Sequence, residues 1–232
     1  MSHPQQQAVY PDAPRPEFAP LIPTDARSAL DVGCSRGGFG FSLRDALGPD
    51  ARLVGIEPVA SQAEVARVGH EFDEVHTGYF PDVLADSEEK FDLICFNDVL
   101  EHIVDPWETL RAARKHLNPG GRIFAGIPNV QWLPNVLRLA RGHWTYTEMG
   151  ILDRTHVRFF TKSSMEDMFR QSGYRVISTT GVNSLADTGY GIGTEKWKTW
   201  ARTHLARFAG NSQYLHFVVI ATPRKRRPKK KR

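Results

Sequence analysis

The chain has 232 residues, of which 41% are hydrophobic and 24% charged, a balance typical of a globular domain rather than a disordered chain. No apolar run approaches the roughly 20 residues that a membrane-spanning helix needs, and the best candidate, residues 214–221, is interrupted by His216. The N-terminus lacks the basic and apolar segments of a secretory signal, and two cysteines are too few for a disulfide framework. We therefore expect a cytoplasmic protein without a transmembrane segment.

The net charge of +4 comes from one end of the chain. Residues 224–232, RKRRPKKKR, hold eight basic residues, and the remaining chain has 22 basic against 26 acidic residues, a net charge of −4. A run of like charges repels itself and stays hydrated, so residues 224–232 are predicted to form a disordered tail. Such a tail attracts nucleic acid or an anionic membrane surface, and it serves equally well as a solubilising end without a partner.

The sequence divides into three parts. Residues 1–23 contain six prolines, which block helices and sheet ladders, and are predicted to form an extended arm. Residues 24–223 alternate short apolar runs with amphipathic stretches, as expected of one α/β domain with a parallel sheet between two layers of helices. Within this domain, residues 129–172 form a long excursion from the alternation.

The predicted elements follow in chain order. Strands are expected at residues 28–32, 52–56, 74–77, 91–96, 122–127, 174–179 and 214–220. Helices are expected at residues 39–47, 62–68, 162–171 and 195–208. A further helix begins at Asp105-Pro106, where Asp caps the helix and Pro fits its first turn, and ends before the turn at residues 118–121, NPGG.

The first strand leads into a glycine-rich turn at residues 31–38, DVGCSRGG. Glycines let a backbone approach a ligand closely, and the following helix offers unpaired N–H groups. Twenty residues after Gly37, the second strand ends at Glu57, where an acid can accept both hydroxyls of a ribose. A cofactor that carries a nucleoside is therefore expected. The turn breaks the G-x-G-x-x-G pattern of dinucleotide folds, and Asp31 suits a positively charged amino-acid end better than a pyrophosphate.

These segments together resemble the class I S-adenosylmethionine-dependent methyltransferases, in particular those that methylate oxygens of small molecules or sugars. LDVGCSRGG is similar to the first motif, VGIEP to the ribose-binding second strand, FDLICFNDVLEHIVDP to the fourth strand and its exit loop, and LNPGGRIFAGIPN to the turn and fifth strand. The resemblance covers roughly residues 25–181. It implies a Rossmann-like sheet of seven mostly parallel strands with the last one antiparallel, and an enzyme that uses S-adenosylmethionine.

The resemblance also implies a cofactor site made of residues that follow the first four strands: Asp31, Gly33, Cys34, Ser35, Gly37, Glu57, Pro58, Tyr79, Asp82, Asn97 and Asp98. Ser35 stands where the family has the central glycine of its motif, and this is tolerable if φ at Ser35 stays negative. The third strand leads into GYFPD at residues 78–82 where the family has Gly-Asp. Either Tyr79 stacks on the adenine or Asp82 takes over the contact.

A loop with acids and a histidine, NDVLEH at residues 97–102, follows the fourth strand. By the resemblance, this loop lies beside the transferred methyl group, and His156 in the segment LDRTHVRFFT faces the same site. Asp98, His102 and His156 are therefore the predicted catalytic residues. Histidine titrates near neutral pH and can remove the proton of a hydroxyl acceptor.

Asp98, Glu101, His102 and His156 are also an alternative site for a divalent metal. Their arrangement resembles the metal centre of RNA 3′-terminal 2′-O-methyltransferases, and mixed carboxylate and imidazole ligands suit magnesium, manganese or zinc-like ions. The loop residues converge only if the loop turns helically and brings positions i, i+3 and i+4 to one face. Because the Glu-His pair is also common in methyltransferases without a metal, the metal-free site is the preferred prediction.

The excursion is where we expect the methyl acceptor to bind. It intersperses aromatic residues with cations, which suits sugar rings, phosphates or stacked bases, although a lid with its aromatics packed inward gives the same pattern. The residues concerned are Trp132, Arg138, Arg141, His143, Trp144, Tyr146, Arg154, Arg158, Phe159 and Phe160. The resemblance implies a hydroxyl of a small molecule or of a sugar as the acceptor.

Two other functions remain open from the sequence. An RNA 2′-O-methyltransferase is favoured by the metal-like cluster and the basic tail, whereas the acidic body argues against it, because nucleic-acid enzymes usually carry their basic surface on the domain. A non-catalytic module that binds the cofactor and acts through its tail has the same cofactor motifs. Only a turnover assay separates this module from an enzyme.

Overall fold

The computed structural model describes residues 14–69, 71–187 and 208–224. Its strands are β1 (Ser28–Val32), β2 (Arg52–Glu57), β3 (Glu74–Thr77), β4 (Phe91–Asn97), β5 (Leu117–Pro128), β6 (Tyr174–Ser184) and β7 (Tyr214–Pro223). Its helices are α1 (Gly38–Leu47), α2 (Ala60–Gly69), α3 (Pro106–Ala113), α4 (Leu133–Ala140) and α5 (Lys162–Gln171). The helix predicted at residues 195–208 lies almost entirely outside these ranges.

All seven strands belong to one sheet, in the order β3-β2-β1-β4-β5-β7-β6. The first five are parallel to one another, and β7 lies antiparallel between β5 and β6. The predicted Rossmann-like sheet is therefore confirmed. Since β1 pairs with both β2 and β4, the strand order reverses there, and ligands of such sheets bind beyond the carboxyl ends of the strands at this point.

The central strands are buried on both faces, which explains their continuous apolar runs. Side chains of β1, β2, β4 and β5 that point to one face share a hydrophobic cluster with α3 and α5, and this cluster includes Phe96, Leu110 and Met168. Side chains that point to the other face pack with α1, as Leu93 does with Phe39. The sheet thus separates two hydrophobic layers. The polar residues that follow the carboxyl ends of its parallel strands lie outside both layers.

The NPGG segment differs from its prediction. It was expected to be a turn before the fifth strand, but β5 already begins at Leu117, which pairs with Phe91. The register then shifts between Phe91 and Leu93, and Gly120 takes a φ of +86°. The turn is therefore absorbed into the strand as an irregularity, because glycine adopts positive φ without a steric penalty.

The described part of the N-terminal arm is integral to the core. Phe18 is fully buried and packs edge-on against Phe124 with ring centroids 6.3 Å apart. Gly126 makes room for it, since a Cβ there would lie 2.5 Å from the Phe18 ring. Residues Ala19–Leu21 form a 3-10 turn, so this part of the arm is not extended as predicted.

Arg224 is a correction to the predicted tail. Its backbone N–H donates to the Gly173 carbonyl at 2.9 Å and its Nε to the Tyr174 carbonyl at 2.9 Å. The tail was placed to begin at residue 224, but this arginine is anchored on β6, and residues 225–232 lie outside the described structure. In the part of the chain that the structure describes, no helix has the length and apolar character to cross a membrane.

Candidate active site

The glycine-rich turn begins the site at the carboxyl end of β1. Gly33 has a φ of +72°, and a Cβ there would lie 2.7 Å from a methyl group of Val99. Gly37 has a φ of +97° and forms the N-terminal cap of α1. Both positions require glycine because an L side chain is strained at positive φ. The conformation of the turn is therefore specified by the sequence at these two positions.

Ser35 has a φ of +51°, so the expectation of a negative φ is wrong. The conformation is held by Glu57, whose Oε2 accepts the Ser35 backbone N–H at 2.9 Å, and by Gln62, whose Oε1 accepts the Ser35 hydroxyl at 2.6 Å. A second backbone donor, the N–H of Val59, reaches Oε1 of Glu57 at 2.9 Å. Glu57 thus orders the turn in addition to its predicted contact with ribose.

Two carboxyl groups, those of Asp31 and Glu57, lie close together in this part of the site. Asp31 is 2% exposed, and its burial, together with the nearby charge of Glu57, raises the pKa of Asp31 to about 8. Burial also raises the pKa of Glu57 and of the Cys34 thiol. A cationic group bound here would lower the pKa of both acids, because an opposite charge favours the ionised form.

The residues after β3 lie at the surface. Tyr79 is 53% exposed, and Asp82, also exposed, opens a 3-10 turn that ends at Leu84. Pro58, after β2, is half-buried. Their roles in binding adenine and ribose stay predictions, as does the choice between Tyr79 and Asp82.

Asp98 follows β4 in a left-handed conformation with a φ of +53°. Its carboxylate forms an ion pair with Arg15 of the N-terminal arm, and its Oδ1 lies 3.3 Å from Nε2 of His216 on β7. Although burial opposes ionisation, Arg15 and His216 hold the pKa of Asp98 below its usual range. Neither partner was predicted from the sequence, because they come from a proline-rich arm and the final strand.

Asn97 precedes Asp98 and carries an unsatisfied amide. Both polar atoms of its side chain are buried and have no hydrogen-bond partner among the described residues. Such groups are rare in folded proteins and indicate a missing partner. Asn97 therefore remains a candidate for contact with the cofactor.

Glu101, His102 and His156 form a compact cluster next to this loop. Residues 100–102 make a 3-10 turn, and one ligand atom from each of the three side chains lies within 4.8 Å of the others. The Nε2 of His156 is 3.9 Å from Oε1 of Glu101, and the ring centroids of His102 and His156 are 4.6 Å apart. Asp98, the fourth residue of the predicted metal set, lies outside this group.

The cluster depends on backbone contacts between two distant segments. The Glu101 carbonyl accepts the N–H groups of Val157 at 2.9 Å and of Arg158 at 3.0 Å. His156 Nδ1 donates to the Ile151 carbonyl at 3.0 Å, so its Nε2 is the nitrogen that faces Glu101. These contacts fix the excursion against the exit loop of β4.

The electrostatics of the cluster favour neutral groups. Burial lowers the pKa of both His102 and His156. Burial and the charge of Asp98 raise the pKa of Glu101, which is 1% exposed and has both oxygens without a hydrogen-bond partner among the described residues. A neutral imidazole can accept a proton. Two imidazoles and a carboxylate are also a donor set that fits a zinc-like or manganese ion.

The aromatic residues of the excursion mostly pack inward. Trp132, Ile151 and Leu152 form a small core that also contacts Trp144 and Phe159. A crevice of about 160 Å³ that is too narrow for a water molecule lies beside this core and the cluster. Its walls are Glu101, Pro128, Val130, Ile151, His156, Arg158, Phe159 and Phe160. Tyr146, by contrast, is 51% exposed.

Comparison with known proteins decides the family. A family model described as a methyltransferase domain matches residues 5–179. The chain belongs to the class I S-adenosylmethionine-dependent methyltransferases.

Two curated relatives of this methyltransferase are ubiquinone biosynthesis O-methyltransferases. The one from Methylobacterium nodulans is 30% identical over 169 residues, with 69% of this chain and 65% of the relative covered. The one from Hydrogenovibrio crunogenus is 28% identical over 162 residues, with 68% and 66% covered. This methyltransferase thus spans just under two thirds of the length of either relative.

A solved structure confirms the fold. An S-adenosylmethionine-dependent methyltransferase from Archaeoglobus fulgidus superposes with a TM-score of 0.63 at 15% identity, and the match covers 88% of this chain and 90% of that chain. The family to which the chain belongs, rather than this likeness of fold, indicates S-adenosylmethionine as the cofactor. The methyl acceptor is not determined by a likeness of fold.

Proposed function

We propose that this methyltransferase transfers the methyl group of S-adenosylmethionine to a hydroxyl oxygen of a small molecule or of a sugar. The observation that carries the proposal is the cluster at the exit loop of β4, in which His156 and Glu101 are buried and His102 is half-buried. A hydroxyl is a poor nucleophile until it loses its proton, whereas the sulfonium is already a good leaving group. A positioned neutral base is therefore what such a transfer requires.

In the proposed reaction, Nε2 of His156 takes the proton of the acceptor hydroxyl. The oxygen forms a bond to the methyl carbon while the bond from carbon to sulfur breaks, and its electron pair stays on sulfur to give the thioether S-adenosylhomocysteine. The lowered pKa of His156 keeps the imidazole unprotonated at neutral pH. The alignment of acceptor and methyl group supplies the rest of the rate enhancement.

The cofactor would lie across the carboxyl ends of β1, β2 and β4. Asp31 would pair with the ammonium group of its methionine part, and Glu57 would accept from its ribose hydroxyls. The cofactor would also lie against the backbone of the glycine-rich turn at Gly33 and Gly37 and against the N-terminus of α1. These assignments are supported by the two neighbouring carboxyl groups and by the backbone shape of the turn.

Entry of the acceptor requires the excursion to move. The crevice beside Glu101 and His156 does not admit a water molecule, and Val157 and Arg158 are bonded to the Glu101 carbonyl. A shift of this segment would open the cluster to a substrate, and its return would exclude water during transfer. The names of the curated relatives, which specify O-methylation, support oxygen as the receiving atom.

Mass spectrometry with S-adenosylmethionine labelled at the methyl group tests the proposal. The full chain is incubated with catechols, simple phenols, monosaccharides and a short RNA, and the products are fragmented to locate the label. We expect the label on a hydroxyl oxygen of a small molecule or sugar. Label on nitrogen or on RNA would overturn the assignment, and binding without turnover on any acceptor would favour the non-catalytic module.

A metal-assisted site is the second candidate, and the unpartnered carboxylate of Glu101 favours it. In that case Glu101, His102 and His156 would hold the ion, which would lower the pKa of a bound hydroxyl. This version also keeps the RNA 2′-O-methyltransferase open, together with the basic residues 225–232. Sensitivity of turnover to a chelator separates the two mechanisms.

A further inference from the structure

Asp153 and Thr155 connect the excursion to His102. The Thr155 hydroxyl lies 2.7 Å from Oδ1 of Asp153 and 3.1 Å from Nδ1 of His102. The Thr155 backbone N–H donates to the same Asp153 oxygen at 2.7 Å. Asp153 is 1% exposed, so water does not compete for these contacts.

The direction of the two hydrogen bonds follows from the number of protons. A threonine hydroxyl has one proton to donate and two lone pairs to accept with. Oδ1 of Asp153 already accepts the backbone N–H of Thr155, and the oxygens of a carboxylate accept hydrogen bonds rather than donate them. The hydroxyl proton therefore points to Asp153, and the oxygen accepts a proton from Nδ1 of His102.

The same protonation pattern holds at the second histidine of the cluster. Nδ1 of His156 lies 3.0 Å from the Ile151 carbonyl, and a carbonyl can only accept. Both rings are thus held through Nδ1 by residues 151–155. In each neutral ring, this leaves Nε2 as the nitrogen with the basic lone pair.

We propose that Asp153 and Thr155 are positioning residues that fix His102 as the tautomer protonated on Nδ1. This inference rests on the proposed function only in the role that it gives to the cluster. The tautomer itself is argued from the hydrogen bonds of the Thr155 hydroxyl. With the tautomer fixed, the basic lone pair of His102 is on Nε2, as a base or a metal ligand bound through that nitrogen requires. Residues that orient an active-site histidine in this way commonly change function when they are replaced.

Nuclear magnetic resonance of the full chain, labelled with ¹⁵N-histidine, tests the proposal without an acceptor. Long-range ¹H–¹⁵N correlations distinguish protonated from unprotonated ring nitrogens, and the signals that disappear in His102→Gln assign the residue. We expect wild-type His102 to carry its proton on Nδ1. Thr155→Val should abolish this preference, because the isosteric side chain cannot accept the bond, and Thr155→Ser should retain it.

Two further variants complete the test. Asp153→Ala should move the proton of His102 to Nε2, because the freed Thr155 hydroxyl can then donate to Nδ1. Thr147→Val is the matched control, since the Thr147 hydroxyl donates to the Met149 carbonyl instead, and it should leave the His102 signals unchanged.

A wild-type His102 protonated on Nε2, or an unchanged single tautomer in Thr155→Val, would overturn the proposal. If a variant fails to give a cooperative melting curve, the wild-type spectrum decides alone. These results do not depend on which acceptor the labelled-cofactor experiment identifies, so the proposed function and this inference can fail separately.

Discussion

Arg15 forms an ion pair with Asp98, although 83 positions separate the two residues in the chain. The guanidinium also binds Glu17 at 2.8 Å and lies 4.2 Å from the centre of the Phe18 ring. The N-terminal arm is thereby joined to the loop that follows β4. The loop conformation in the active site thus depends on a segment that precedes the first strand.

Loss of this ion pair should destabilise the fold. Arg15→Gln leaves the largely enclosed Asp98 carboxylate with His216 alone, and we expect the free energy of unfolding to fall by roughly 1–3 kcal/mol at pH 7. The lowered pKa of Asp98 means that this contribution is present above the ordinary aspartate pKa and is lost as the pH falls through the folded value. Urea unfolding at pH 7 and near pH 3 measures it.

The control for Arg15 is Arg138→Gln on the exposed face of α4, which should leave the unfolding curve unchanged. An Arg15→Gln variant as stable as the wild type at pH 7 would show that the ion pair is dispensable.

Asp31 should make stability and cofactor binding depend on pH. Its pKa rises from 3.8 to about 8 on folding, so the folded state holds a proton that the unfolded state has lost. The free energy of unfolding should therefore fall as the pH rises from about 4 to 8. Asp31→Asn should flatten this dependence in urea unfolding from pH 5 to 9.

The same substitution should weaken cofactor binding, because the ammonium group of S-adenosylmethionine loses a carboxylate partner. In the wild type, affinity should increase toward pH 8 as Asp31 ionises. Asp45→Asn, at an exposed position on α1, should change neither property. An affinity independent of pH in the wild type would remove Asp31 from the cofactor site.

Glu57 should control cofactor affinity more than stability. Glu57→Gln keeps an oxygen for the backbone N–H of Ser35 or Val59 but loses the charged acceptor for the ribose. We expect the Kd for S-adenosylhomocysteine to rise roughly 10- to 100-fold, equal to about 1.4–2.8 kcal/mol. Isothermal titration calorimetry measures this, with Glu64→Gln on the exposed face of α2 as the control, and an unchanged Kd would contradict the ribose contact.

His156 should be required for turnover in the metal-free mechanism that we prefer. His156→Ala should lower kcat by roughly 10²- to 10⁴-fold with little change in cofactor affinity. A chelator should leave the wild-type rate unchanged. Activity that disappears with the chelator and returns with manganese or magnesium would establish the metal-assisted site instead.

Truncation at the C-terminus should distinguish the contribution of Arg224 from that of the basic residues 225–232. A chain that ends at Arg224 should keep the cofactor affinity and the melting curve of the full chain, because residues of like charge contribute no core. A chain that ends at Pro223 also loses the contacts of Arg224 with Gly173 and Tyr174, and should be less stable by about 1–2 kcal/mol.

If turnover of the chain that ends at Arg224 falls, and the difference disappears at high salt, residues 225–232 contact an anionic acceptor, since phosphate contacts are sensitive to salt. Full turnover would exclude the tail from acceptor binding.

The sequence by itself determined the sheet and predicted where the cofactor binds. The apolar runs at β1 and β4, the glycines 33 and 37 and the acid at the end of β2 are local signals, because strand burial, positive φ and spacing along the chain each depend on neighbouring residues. The pairing of Glu101 and His102 on one turn is local in the same sense. These features could be predicted without knowing which strands are adjacent.

Only the tertiary structure decided what surrounds the reactive groups. Arg15, His216 and Asp98 meet because the arm folds back over Gly126 and β7 inserts between β5 and β6, and no sequence spacing encodes such a contact. The left-handed Ser35 is stabilised by Glu57 and Gln62, which outweigh its intrinsic preference for negative φ. Long-range contacts of this kind depend on the packing of the whole sheet, which is the reason that they escape a reading of the sequence alone.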